Sequence, residues 1–218
     1  MRIIAFTNDG QLPMMKNMLN SALKTGWDLT NFHCYFTNLL PQSASYNTLN
    51  FQSLTLKKLE LILMNMRMDS EVMWIDNDIV LFENCLENLR SFPGNFVMQD
   101  DLWGPCTGFF LVRSSPKSIE TIEKTITFLK QKLVKTILND QHAFVEIIKK
   151  IPGLQIYLLS QKEYPNGEIY FKRGMKDGAR MVHNNYLSTT PEKVHRFKEC
   201  GLWDESDEGF NKVNKYQI

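Results

Sequence analysis

This chain of 218 residues lacks paired cysteines, and it has no surplus of either charge. Its four cysteines are scattered with no Cys-x-x-Cys pair, which argues against a zinc knuckle and predicts free thiols in a reducing compartment. There are 25 basic and 24 acidic residues, so no basic excess predicts binding to nucleic acid or to an anionic membrane.

Long apolar runs are also missing. No segment approaches the ~20 apolar residues of a membrane helix, and the opening run over 1–7 is too short for a signal peptide. We therefore expect a soluble, cytoplasmic protein without a membrane span, acting as a monomer or weak oligomer. The length suits a single domain over 1–218, and the 43% of hydrophobic residues can fill its core.

What is present is the alternation of strands and helices that is typical of an α/β fold. Strands are predicted over 2–7, 29–36 and 71–75, separated by helices over 13–24 and 54–66. This order predicts a mostly parallel sheet flanked by helices. The later predictions are strands over 95–99, 108–113, 155–159, 167–171 and 179–183, helices over 116–133, 140–150 and 191–200, and a tail from 204 that is partly disordered at its end.

Two carboxylates one residue apart, Asp76 and Asp78, follow the third predicted strand and precede a second apolar run. Side chains of a strand alternate between its faces, so persisting strand geometry would point both carboxylates the same way. Their mutual repulsion would be relieved by a divalent cation, and hard oxygen ligands suit Mn²⁺ or Mg²⁺. The alternative interpretation is a polar turn with two solvated aspartates.

Candidate partners for these aspartates lie elsewhere in the chain. His183 ends an apolar strand and could add a nitrogen ligand, or it could simply be satisfied by backbone hydrogen bonds. Thr7 and Asn8 follow the first strand and could read a base or ribose on the same rim. Lys57 and Lys58 could reach a phosphate or uracil, although a solvated helix face explains them equally well. Tyr35 could stack on a base, although such aromatic residues more commonly pack in the core.

A third group follows the fourth predicted strand. Asp100 and Asp101 offer carboxylates, and Gly108 marks a place where backbone can approach a ligand closely. Asp140 and Gln141 open a helix, where helix capping is the simpler explanation. A carboxylate near a substrate hydroxyl can act as a general base, and Asp101 and Asp140 are the candidates for that catalytic role.

Together these motifs resemble the GT-A nucleotide-sugar glycosyltransferases. The resemblance rests on an ordered set of motifs, which are Asp76-Asn77-Asp78, Thr107-Gly108-Phe109-Phe110, Asn139-Asp140-Gln141 and His183-Asn184. Within that family the chain is similar to the small glycosyltransferases encoded by chloroviruses, which would imply a viral protein in the host cytoplasm. The resemblance implies a nucleotide-binding half over 1–81, a sugar and acceptor half over 82–200 and a tail over 201–218.

The resemblance also implies roles for the residues. The donor would be a UDP-sugar, the acceptor a glycan or glycoprotein, and the cofactor Mn²⁺ or Mg²⁺. Asp78 and His183 would ligate the metal, with Asp76 at the ribose and at the metal through water. The nucleotide would also contact Thr7, Asn8, Tyr35, Lys57 or Lys58, Ile75 and Asn77. The sugar and acceptor would contact Asp100, Asp101, Gly108, Asp140 and Gln141. The Asn-Asp-Gln pattern resembles retaining relatives more than inverting ones.

Other functions compete with this interpretation. Haloacid-dehalogenase-type phosphatases also use Asp-x-Asp after an apolar strand, but here Asp100 and Asp101 arrive too soon for the intervening elements of that fold. A sugar nucleotidyltransferase needs a basic, glycine-rich loop after its first strand, and residues 8–11 do not form one. A degenerate domain that binds sugar nucleotides without turnover stays open.

Overall fold

Nine strands and six helices are present in the computed structural model, which describes residues 1–38, 48–132 and 138–218. In chain order they are β1 (Arg2–Asn8), α1 (Leu12–Lys24), β2 (Phe32–Thr37), α2 (Leu49–Met66), β3 (Glu71–Ile75), β4 (Ile79–Leu81), α3 (Leu86–Ser91), β5 (Phe96–Asp100), β6 (Pro105–Arg113), α4 (Pro116–Lys132), α5 (Asp140–Ile148), β7 (Ile156–Leu159), β8 (Met181–His183), α6 (Thr190–Glu199) and β9 (Asn214–Gln217). The predicted end of the fourth helix, at 133, lies outside the described residues.

Seven strands form one mixed sheet in the order β7-β5-β6-β3-β1-β2-β9. β1 runs parallel to β2 and β3, β2 to β9, and β5 to β7, whereas β6 is antiparallel to both β3 and β5. The predicted α/β fold with a mostly parallel sheet is confirmed. Because β1, β3 and β5 run in the same direction, their carboxyl ends meet at one edge of the sheet, where such sheets bind ligands.

Helices cover both faces of the sheet, and the alternation of β1 shows how. Ile3 and Ala5 pack with α1 residues such as Met18, while Ile4 and Phe6 pack with residues of α2, α4 and α5 such as Ile62. This period of two is what a strand buried on both faces requires. Within the part of the chain that the structure describes, no helix is long and apolar enough to cross a bilayer.

A second, two-stranded sheet pairs β4 with β8 in antiparallel register and places Ile79 opposite His183. The backbone N–H of Asn184 also donates to the carbonyl of Asp78 at 2.8 Å. This small sheet therefore brings a histidine from late in the chain beside the aspartates that follow β3.

The structure corrects several predicted elements. Residues 167–171 are not a strand, because Glu168–Lys172 forms a wide helical turn. The second long helix begins at Leu49 rather than at 54, since the Thr48 side chain accepts from the Phe51 N–H and caps the helix start.

The end of the chain is also ordered, contrary to the prediction. β9 pairs with the edge of β2, and the N–H of Ile218 donates to the carbonyl of Phe36 at 2.9 Å. Tyr216 stacks on Tyr35 with 5.1 Å between ring centroids. Backbone pairing at a sheet edge needs no apolar pattern, which is why the sequence of the tail did not reveal this strand.

Candidate functional site

A cavity of about 910 Å³ opens at the sheet edge where β1, β3 and β5 end. It takes in the segment after β3, the start of β6, the first turn of α5 and the end of β8. Its walls include nine of the residues predicted as site residues, which are Lys58, Asp76, Asn77, Asp78, Asp101, Gly108, Asp140, Gln141 and His183.

Asp76, Asp78 and His183 converge in this cavity, and one ligand atom from each lies within 4.8 Å of the others. The His183 Nε2 is 3.3 Å from Asp78 Oδ1 and 4.0 Å from Asp76 Oδ2. Asp78 and His183 are buried, while Asp76 is partly exposed to the cavity. The three residues predicted as metal ligands therefore lie close enough together to hold one ion.

Charges around the cluster set the protonation of its members. Burial acts to raise the pKa of Asp78, but the positive charges of Lys193 and His183 outweigh burial and hold that pKa below its usual range. The Nζ of Lys193 lies 2.7 Å from Asp78 Oδ2. Burial acts to lower the pKa of His183, yet Asp78 raises it well above its ordinary value. Burial and the neighbouring Asp78 raise the pKa of Asp76, and Lys58 opposes them.

Gln99 fixes the orientation of the His183 ring. Its Nε2 donates to the carbonyls of Tyr164 and Pro165, at 3.1 and 3.0 Å, so its Oε1 must face the other way. That oxygen lies 2.8 Å from His183 Nδ1, and because it can only accept, Nδ1 carries the proton. Metal ligation requires the ring to release its second proton, and that proton leaves from Nε2, which faces the two aspartates, because Gln99 holds the proton on Nδ1.

These residues fit a divalent cation. Two carboxylates and an imidazole nitrogen are a donor set for Mn²⁺ or Mg²⁺. Gly108 leaves the space beside them open, because a Cβ at this position would collide with the His183 ring and lie 2.7 Å from Asp76 Oδ2. The N–H of Asp76 donates to the Gly108 carbonyl at 2.8 Å, so the backbone cannot easily retreat.

Lys58 joins two carboxylates at the cavity wall. Its buried ammonium lies 3.1 Å from Asp76 Oδ1 and 3.0 Å from Asp140 Oδ2, and it stands 5.0 Å from the ring centroid of Trp74. Burial acts to lower the pKa of Lys58, but Asp140 and Asp76 raise it further, so the ammonium stays charged. The indole N–H of Trp74 donates to the same Asp76 oxygen at 2.6 Å.

Asp101 is held by three side-chain amides. Asn185 and Asn166 donate to its Oδ1 at 2.9 and 3.2 Å, and Gln141 donates to its Oδ2 at 3.1 Å. The hydroxyl of Tyr186 donates to its backbone carbonyl at 3.0 Å. The carboxylate therefore joins the turn after β5 to α5, to Asn166 and to the segment after β8 at one side of the cavity.

Comparison with known proteins places the chain in a family. Residues 16–197 match the nucleotide-diphospho-sugar transferases. The chain belongs to this family. Solved structures with the same fold include a glycosyltransferase involved in the glycosylation of the major capsid of PBCV-1, with a TM-score of 0.63, 15% identity and coverage of 91% of this chain and 100% of that one. The glycosyltransferase GlyE of Streptococcus pneumoniae has a TM-score of 0.58 at 12% identity and covers 96% of this chain and 63% of its own.

Curated relatives of this nucleotide-diphospho-sugar transferase are longer proteins. A UDP-galactose:fucoside alpha-3-galactosyltransferase of Dictyostelium discoideum is 27% identical over an alignment of 200 positions, which covers 75% of this chain and 30% of that protein. A UDP-D-xylose:L-fucose alpha-1,3-D-xylosyltransferase of Arabidopsis thaliana is 39% identical over an alignment of 71 positions, which covers 30% of this chain and 20% of that protein. The chain thus spans less than a third of the length of either relative.

Six residues predicted as site residues lie outside the cavity walls of this transferase. Ile75 is buried in the core below α1, Tyr35 is buried with its hydroxyl on Asn65, and Lys57 is partly buried on α2. Asp100 accepts from Gln161 at 2.9 Å. Thr7 donates to the carbonyl of Asn8, whose side chain in turn accepts from a backbone N–H.

Three functional candidates were missed from the sequence. Gln99 contacts His183 from 84 positions away in the chain, and Lys193 contacts Asp78 from 115 positions away. The third is Trp103, which lines the cavity. A buried glutamine in an apolar strand is the one signal that could have singled out Gln99.

Proposed function

We propose that this transferase moves a sugar from a UDP-sugar to a hydroxyl group of a glycan or glycoprotein, in a reaction that depends on Mn²⁺ or Mg²⁺. The observation that carries the proposal is the convergence of Asp76, Asp78 and His183 in the cavity at the sheet edge. Family membership supplies the class of donor, a sugar linked to a nucleoside diphosphate. The UDP in the names of both curated relatives supports uridine.

The cluster supports binding of a cation at the diphosphate. A bound cation would stabilise the negative charge that develops on the leaving diphosphate. Asp78 and His183 are buried, and Asp76 lies beside them with one carboxylate oxygen held by Trp74 and Lys58. This arrangement supports Asp78 and His183 as the direct ligands and Asp76 as the ligand that also reaches the nucleotide.

Lys193 supports the same diphosphate site. Its ammonium lies 2.7 Å from Asp78 Oδ2 and offsets the charge of that carboxylate. A cation bound at Asp78 would repel the ammonium, and Lys193 could then turn towards a phosphate oxygen. We propose that this lysine exchanges partners when donor and metal bind together.

The contacts of Asn77 support the placement of a nucleotide on the β1 side of the cavity. Its Nδ2 donates to the carbonyl of Phe6 at 2.9 Å, which fixes the amide. Its Oδ1 is buried without a hydrogen-bond partner in the described part of the chain, and such an oxygen calls for a donor. A uracil N–H or a ribose hydroxyl is a suitable one, and Thr7 and Asn8 hold the adjacent strand end.

The state of the other carboxylates favours transfer with retention. Asp101 is occupied by three amides, and Asp140 is paired with Lys58, so neither oxygen pair is poised to take a proton from an acceptor. A retaining reaction can dispense with a protein base when the leaving phosphate stays on the attacked face. The catalytic role predicted for Asp101 and Asp140 stays a prediction, and their contacts support positioning.

The proposal is tested by a screen of UDP-sugars for UDP release. The protein with Mn²⁺ is incubated with UDP-galactose, UDP-xylose or UDP-glucose, with and without methyl α-L-fucopyranoside, because both curated relatives carry fucose or fucoside in their names. We expect slow UDP release from one donor, faster release with an acceptor, and loss of both in Asp78→Asn. Donor binding without release would identify a non-catalytic domain, and phosphate release from a phosphomonoester alone would favour a phosphatase.

A further inference from the structure

An exposed tryptophan stands at the rim of the cavity. Trp103 lies in the turn between β5 and β6, lines the cavity and keeps 90% of its surface accessible. A large indole is normally at least partly buried, because its apolar area is costly to leave in water. An exposed one beside a cavity suggests a surface that a ligand covers.

The turn that carries this indole is firmly built. The N–H of Asp101 donates to the carbonyl of Gly104 at 2.8 Å and closes the turn. The three amides on the Asp101 carboxylate anchor its base to α5, to Asn166 and to the segment that follows β8. The backbone position of Trp103 is therefore set by contacts at the base of the turn.

Backbone strain is concentrated at the same place. Among the described residues, Leu102 and Tyr186 are the non-glycine residues with left-handed backbone, at φ 67° and 60°. The hydroxyl of Tyr186 bonds to the carbonyl of Asp101, so the two strained segments are joined. Such conformations persist where the surrounding structure imposes them, and they cluster at ligand sites.

The place of the turn in the sheet indicates what it meets. In the strand order, β5 and β6 lie on one side of β3 and β1 lies on the other. With the nucleotide on the β1 side and the diphosphate at Asp78, the Trp103 side is left for the sugars. A pyranose ring has one face made largely of C–H bonds, which packs against an aromatic face.

We propose that Trp103 is the platform for the acceptor, and that it stacks on the apolar face of the pyranose ring whose hydroxyl receives the sugar. This inference rests on the proposed function. It assigns acceptor recognition to a residue that touches neither the metal cluster nor Lys58 in the described contacts. The competing occupant is the nucleobase, which would also stack on an indole.

The first test uses the indole N–H resonances of the ¹⁵N-labelled protein in the presence of UDP and Mn²⁺. The chain has four tryptophans, and Trp103→Phe assigns the resonance of Trp103. We expect this resonance to shift on titration with methyl α-L-fucopyranoside or methyl β-D-galactopyranoside. A shift with UDP alone and none with either glycoside would assign Trp103 to the nucleobase and overturn the proposal.

The second test is kinetic. We expect Trp103→Ala to raise the KM for the acceptor roughly tenfold, Trp103→Phe to raise it much less, and the Kd for UDP to stay unchanged in both. Met175→Ala removes another exposed apolar side chain outside the cavity walls and should change neither constant. An unchanged acceptor KM in Trp103→Ala refutes the platform. Failure of the parent protein to bind UDP would instead refute the proposed function.

Discussion

Replacing Gln99 by methionine removes the acceptor that sets the tautomer of His183. Methionine keeps the length of the side chain but cannot accept the Nδ1 proton at 2.8 Å or donate to the carbonyls of Tyr164 and Pro165. The remaining neighbour of Nδ1 is the weak acceptor Cys106 Sγ at 3.6 Å. The ring would then be free to rotate and to place its proton on Nε2, which would block the nitrogen that faces the aspartates.

The size of the effect follows from these contacts. Loss of an outer partner of a metal-bound histidine lowers metal affinity by about 10–100-fold. That range corresponds to about 1.4–2.8 kcal/mol of binding free energy. Folding stability should also fall, by about 1–3 kcal/mol for each buried group left without its partner. Gln99 is fully buried, so water cannot readily replace the amide.

The assay is a titration of Mn²⁺ in the presence of UDP, with free Mn²⁺ followed by electron paramagnetic resonance. The control is Thr125→Val, a fully buried residue of α4 whose hydroxyl donates to the carbonyl of Thr121 at 2.7 Å. We expect Gln99→Met to lose both stability and Mn²⁺ affinity, and Thr125→Val to lose stability alone. Mn²⁺ affinity equal to that of the parent in Gln99→Met would refute the tautomer argument.

Two further predictions concern a glycine and the end of the chain. Gly108→Ala should lower the free energy of unfolding by about 1–3 kcal/mol and abolish metal-dependent UDP binding, because the new Cβ must displace His183. Calorimetry measures both effects, as thermal unfolding and as UDP binding. Asp204→Asn should lower stability at pH 7 by up to about 1 kcal/mol, since Lys24 and nearby hydrogen bonds lower the pKa of Asp204 to about 2 and its partial exposure weakens the effect. Because the pKa of Asp204 is lower in the folded than in the unfolded protein, its contribution to stability is present above about pH 4 and is lost as the pH falls to about 2. The urea unfolding curves of parent and variant should therefore converge near pH 2. A difference in stability that stays constant across this pH range would contradict the assignment.

Local patterns were enough to predict a mostly parallel sheet flanked by helices. The strand over 71–75 was placed correctly because an apolar run ends there at two aspartates. The convergence of Asp76, Asp78 and His183 followed from strand ends and from the family resemblance. These predictions depend on hydrophobic periodicity, which a single sequence displays, and on the general rule that parallel strands end at a common edge of the sheet.

Contacts between distant segments could not be read in the same way. Lys193 lies on an exposed helix, and only the β4–β8 pairing brings that helix to Asp78. The sequence shows Asp101 only as a carboxylate after a strand, because the three amides that hold it come from three other segments of the chain. β9 is stabilised by backbone pairing with β2, which leaves no trace in side-chain periodicity.

The central claim is that Asp76, Asp78 and His183 bind a cation that bridges to UDP, and isothermal titration with UDP tests it most directly. The parent protein should bind UDP much more tightly with Mn²⁺ than without it. Asp78→Asn should lose this difference, whereas Asp207→Asn should keep it, since Asp207 also pairs with a lysine at 2.7 Å but lies outside the cavity. Equal metal-dependent UDP binding by Asp78→Asn and the parent would contradict the account.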